Sequence, residues 1–126
     1  MECYFGSYER QNEGPGGNKS LVCFSIPSRG ICFKAPFAGA DELHTDYASL
    51  LTLLEFIELN PNYFDDHEIQ IYGHNQDMIK QINDNHTSRY EFTELLKKAI
   101  EYKEKFDYRL GWVAPDDNPS VNYLYD

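Results

Sequence analysis

The 126 residues are 41% hydrophobic and 15% aromatic, enough for a single domain over residues 1–126 to close a core, which argues against disorder. Twenty-one acidic residues against eleven basic give a net charge of −10, which disfavours nucleic acid as a partner but leaves it open. No apolar run reaches the roughly 18 to 20 residues of a membrane span, and no charged-then-apolar leader is visible, so the expectation is a cytoplasmic protein without a membrane partner.

In chain order, Glu2–Tyr8 is a short aromatic strand, and Asn12–Asn18 (NEGPGGN) is a turn punctuated by Gly and Pro. Lys19–Pro27 is a second strand, and after Ser28-Arg29-Gly30 a third follows at Ile31–Ala35, which suggests an antiparallel meander. Thr45 can cap a helix running to Leu59, with Leu50, Leu53, Leu54 and Ile57 at helical spacing and Asn60-Pro61 stopping it. Glu68–Tyr72 alternates as a strand, Asn75–Ile82 repeats as a short helix, and Asn83–Ser88 is a polar loop. Arg89–Phe106 is a longer helix with Phe92, Leu95, Leu96, Ala99 and Tyr102 on its buried stripe. Tyr108–Val113 is a last strand, and Ala114–Asp126 is loop with at most one helical turn. The order β-β-β-α-β-α-α-β predicts an α/β fold, a mixed sheet with helices on its faces.

Cys3, Cys23 and Cys32 form no Cys-x-x-Cys pair, and their apolar settings predict small buried hydrophobes. His44, His67, His74 and His86 show no metal-motif spacing. Lys97, Lys98, Lys103 and Lys105 interleave with Glu94, Glu101 and Glu104, the pattern of a salt-laced solvent face. Trp112 and Tyr102 are expected in the core, whereas Tyr123 and Tyr125, near the chain end, are candidate interface residues.

Five strings in order resemble the ribonuclease H family: Tyr4-Phe5-Gly6-Ser7, Gly14-Pro15-Gly16-Gly17, the helix from Thr45 to Glu55, Ile69–Asn83, and Trp112–Asn118 with Val121-Asn122 and Leu124. The resemblance implies a five-stranded mixed sheet, its first three strands antiparallel and the rest parallel. It also implies four carboxylates holding two Mg2+ ions about 4 Å apart for phosphodiester hydrolysis. Carried over position by position, those carboxylates fall on Phe5, Ser49, His74 and Asn122, none of which is acidic. Asp46, Asp77, Asp116 and Asp117 are the acids from which a relocated metal site would be drawn; as ordinary residues they are caps and solvated side chains. Thr45-Asp46 stands where the family has paired asparagines, and Pro115 where it has an arginine, which weakens the implied grip on nucleic acid.

The expectation is therefore that the chain is not an enzyme. It would be a catalytically inactive relative without cofactor, a binding or protein-interaction module with an unknown protein partner or self-association. The alternative is a metal-dependent ribonuclease H-type nuclease using Mg or Mn, or an RNA–DNA hybrid or other nucleic-acid-binding protein, with an altered active site.

Overall fold

In a computed structural model that describes residues 1–10, 19–38, 41–64 and 68–122, five strands share one sheet. They are β1 (Glu2–Arg10), β2 (Lys19–Ile26), β3 (Ile31–Phe37), β4 (Ile69–Gly73) and β5 (Tyr108–Trp112). Their order is β3-β2-β1-β4-β5, antiparallel from β3 to β1 and parallel from β1 to β5. The α/β class and the mixed sheet are those predicted. Pairing Phe5 with Phe24 puts the side chains of Cys3, Phe5, Phe24 and Ile26 on the sheet face that carries the core.

Helix α1 (Glu42–Leu59) lays Leu50, Leu53, Leu54 and Ile57 on that face, all essentially without solvent exposure. Helices α2 (Gln76–Asp84) and α3 (Thr93–Lys105) complete the layer with Met78, Ile79, Ile82, Leu96 and Ala99. The Tyr47 ring stacks on Phe92 at 5.6 Å, and its hydroxyl donates to Gln81 Oε1 at 2.7 Å, tying α1 to both neighbours. Burial pushes that hydroxyl up to about 12, so it stays a donor at neutral pH. A one-turn helix, α4 (Pro119–Asn122), follows the 3-10 turn Pro115–Asp117. Among the described residues, no helix is long and apolar enough to cross a membrane.

Several local expectations are corrected. Helix α1 begins earlier, because Asp41, not Thr45, is its cap: the Asp41 carboxylate accepts the His44 amide at 2.9 Å, while the Thr45 hydroxyl donates back to the Asp41 carbonyl. Arg89 is extended, so α3 starts at Thr93 after a 3-10 turn over Tyr90–Phe92. Strand β3 continues through Pro36 to Phe37; it lies at the sheet edge, where a missing amide hydrogen is tolerated. That edge position also exposes Cys32, while Cys3 and Cys23 are buried. Trp112 is not a core residue: it ends β5, beyond the helical cover, and is 46% exposed. The predicted Asn12–Asn18 turn, and Tyr123 and Tyr125, lie outside the described residues.

Candidate active site

Parallel pairing of β1 with β4 brings Phe5-Gly6-Ser7 beside Gly73-His74-Asn75, and β5 brings Trp112 to the same sheet end. The N-terminal half of α1 crosses this end from one side. The turn into α4 closes it from the other.

Phe5 is 1% exposed, and its ring covers the backbone of Gly73 so closely that a Cβ there would collide with it. A phenyl ring therefore fills the place that the resemblance gives to a carboxylate. Ser49 is fully buried. Its hydroxyl hydrogen is shared between the carbonyls of Gly6 (2.8 Å) and Thr45 (3.0 Å), and its oxygen accepts the Cys23 amide at 3.3 Å. With its hydrogen committed to two backbone carbonyls rather than to a base, Ser49 fastens α1 to β1 and β2 and is not set up as a nucleophile. Nor are Cys3 and Cys23 thiolates at neutral pH, since burial pushes both thiols up to about 12.

Asp46 is the carboxylate inside this end of the sheet, 1% exposed. It accepts the Ser7 amide on Oδ1 at 3.0 Å and the Asn75 side-chain amide on Oδ2 at 2.8 Å. Asn75 in turn caps α2, its Oδ1 accepting the Met78 amide at 3.1 Å. One carboxylate thus ties the end of β1 to the start of α2. Asp77 is exposed in the first turn of α2, and Asp116 and Asp117 are exposed in the 3-10 turn, so none of the three joins Asp46 in a cluster. Among the described residues, no group of three or more His, Cys, Asp or Glu is placed to hold a metal.

Asn118, fully buried, organises the opposite side. Its Oδ1 accepts from the Ser120 amide at 3.0 Å and the Ser120 hydroxyl at 2.6 Å. Its Nδ2 donates to the Phe5 carbonyl at 2.8 Å and lies 2.9 Å from His74 Nδ1. The His74 carbonyl accepts the Trp112 indole hydrogen at 3.1 Å. Gly6 makes room for the imidazole: a Cβ there would stand 2.8 Å from His74 Cε1. Asn122 turns away, donating to the carbonyls of Pro115 and Asp116. Of the four carried-over positions, Phe5, Ser49 and His74 therefore flank the Phe5-Gly6 backbone, while the Asn122 side chain braces the loop beside it.

No family model matches the sequence. No curated protein matches it either. Solved structures do. Ribonuclease H1 of the LC11 type in complex with RNA/DNA hybrid superposes with a TM-score of 0.74 at 16% identity, over 98% of this chain and 91% of that one. The chain has the ribonuclease H-like fold. The ribonuclease H1 of the halophilic archaeon Halobacterium salinarum follows at 0.70 and 20% identity, over 98% and 92% of the two chains. The N-terminal ribonuclease H domain of Rv2228c from Mycobacterium tuberculosis gives 0.66 and 12%, over 98% and 95%. The expectation of a chain that is not an enzyme is corrected by these likenesses: structures that share its fold over 98% of its length are ribonuclease H1 structures.

The residues at the ribonuclease H-like cleft do not fit a pair of divalent ions in the family's arrangement. Phe5 offers a ring, Ser49 an uncharged hydroxyl committed to backbone carbonyls, His74 an imidazole, and Asn122 is turned to the loop, so hard anionic oxygens are absent where that arrangement needs them. Two features of the cleft escape sequence reading. Asn118 belongs to one of the resembling strings, yet its partner Phe5 is 113 residues away. Asp46 reads as an exposed helix-start acid, yet it is buried against residues 29 and 39 positions distant.

Proposed function

We propose that the chain acts on nucleic acid, taking RNA–DNA hybrid at the end of the sheet where β1 and β4 meet α1 and α4, as a ribonuclease H-type nuclease with an altered active site. The likeness to a ribonuclease H1 solved with its hybrid, extending over 98% of this chain, carries the reading. In the altered site Asp46 is the buried carboxylate and His74 the half-buried imidazole, on opposite sides of the Phe5-Gly6 backbone. Electrostatics leaves room for only a modest grip: the net charge is −10, and Arg89, Lys105 and Arg109 are engaged with Asp41, Glu58 and Glu68.

The test is a labelled RNA–DNA hybrid offered at low and physiological salt, with and without millimolar Mg2+ or Mn2+, followed by anisotropy and by gel. Binding that prefers hybrid to double-stranded DNA, with RNA-strand scission above a blank, is the expected result. A chain that neither binds nor cuts hybrid under any of these conditions overturns the proposal.

A further inference from the structure

The hydrogen-bond network around Asn118 decides which nitrogen of His74 carries the hydrogen. Ser120 presents a backbone amide, which can only donate, so the Asn118 atom facing it at 3.0 Å is the amide oxygen. The Phe5 carbonyl can only accept, so the atom facing it at 2.8 Å is the amide nitrogen. These two partners fix the Asn118 amide independently of the imidazole. The second Asn118 hydrogen is then directed at His74 Nδ1, 2.9 Å away, and Nδ1 must accept. An imidazole that accepts on Nδ1 carries its hydrogen on Nε2.

Nε2 has no hydrogen-bond partner among the described residues. Yet the one buried, unpartnered polar side-chain atom among them is Ser25 Oγ, so Nε2 reaches solvent. Three elements hold the ring: Gly6 of β1 gives it room, Asn118 orients it, and the Trp112 indole anchors its backbone carbonyl. Such an imidazole is a fixed donor, and having no lone pair on its open nitrogen it is the wrong tautomer to ligate a metal there.

We infer that His74 is a phosphate-recognition residue, its Nε2–H donating to a phosphodiester oxygen of the bound nucleic acid. This rests on the proposed function for the identity of the ligand, but not for the tautomer. A donor whose orientation is set before binding needs no reorganisation when an anionic oxygen arrives, and a hydrogen bond to a charged oxygen is the stronger kind. It also suits an acidic protein, because a single directed hydrogen bond supplies attraction that the overall field does not.

Imidazole 15N spectroscopy tests the tautomer directly. The neutral His74 ring is expected to show the pattern of Nε2–H, and addition of inorganic phosphate, then of a short hybrid, is expected to move the Nε2 resonance. His74→Gln, whose amide nitrogen can take the place of Nε2, should keep hybrid affinity within about threefold, whereas His74→Phe should weaken it about tenfold, the size of one such bond. An Nδ1–H pattern, an Nε2 resonance indifferent to both probes, or equal affinities for the Gln and Phe variants would overturn the assignment. Failure of the parent chain to bind hybrid, alongside an Nε2 shift with phosphate, would instead overturn the nucleic-acid reading and leave His74 a phosphate donor.

Discussion

Phe5, Ser49 and Asp46 stand on the α1 side of the candidate site, and His74, Asn118 and Trp112 on the β5–α4 side, yet the two sides spend their polar groups differently. On the first, the Ser49 hydroxyl and both Asp46 carboxylate oxygens are bonded inside the protein and the remaining space is filled by a ring. On the second, buried Asn118 is saturated, but it hands its order to a half-exposed imidazole beside a 46% exposed indole. Packing governs the first side and orientation the second. A substitution should therefore cost stability on the α1 side and ligand contact on the other.

The hardest way to break this contrast is Phe5→Asp, which returns a carboxylate to the carried-over position. It should cost at least about 3–5 kcal/mol, because a buried ring is lost and a charge takes its place without a counterion. Against the ordinary stability of a domain, that leaves a largely unfolded chain in urea titration. A folded variant with an unchanged midpoint would show that the α1 side is not closed by packing. Asp46→Asn is milder. It sets one amide against another, since Asn75 is committed to capping α2 with its oxygen. The expected loss is about 1–3 kcal/mol, with faster hydrogen exchange at the Met78 amide as its local signature.

The sequence makes the frame of this molecule readable and its cleft much less so. Leu50, Leu53, Leu54 and Ile57 repeat along one helix, and Ile69 and Ile71 alternate along one strand, so local periodicity carries the information. The register of the five resembling strings supplies the rest of the fold. Partners of the cleft residues are another matter: Asn118 and Phe5 are 113 residues apart, and nothing near Asn118 in the chain announces a carbonyl to bind. Trp112 misleads for a related reason. It continues the inward alternation of Tyr108 and Leu110, but the strand outruns the helices that would cover it. Cap choice misleads at α1, where Thr45 and Asp41 are both good caps and tertiary context, including Arg89 on Asp41, selects the earlier one.

The smallest expected effect lies outside both sides of the cleft. The Asp41 carboxyl is held below its usual 3.8 by the His44 amide first and by Arg89 second. A lowered folded value stabilises the protein above pH of about 4 and is lost as the pH falls through that folded value, so acid should loosen the start of α1. Asp41 is exposed, and the contribution is correspondingly small. Asp41→Asn keeps a competent cap and should flatten this part of the acid response while barely moving the midpoint at neutral pH. An acid profile identical to the parent's would mean that the cap carries no charge-dependent share.

One consequence of the Trp112 position is practical. The chain contains a single tryptophan, and it sits on the rim of the candidate site with its indole nitrogen bonded to the His74 backbone. Intrinsic emission excited selectively at the indole therefore comes from one place, half in water and one hydrogen bond from the His74 backbone. Quenching by iodide or acrylamide would report the accessibility of that rim, and a colour shift on adding a ligand would report its desolvation, with no dye attached. The molecule carries its own lamp at the spot where its chemistry is to be sought.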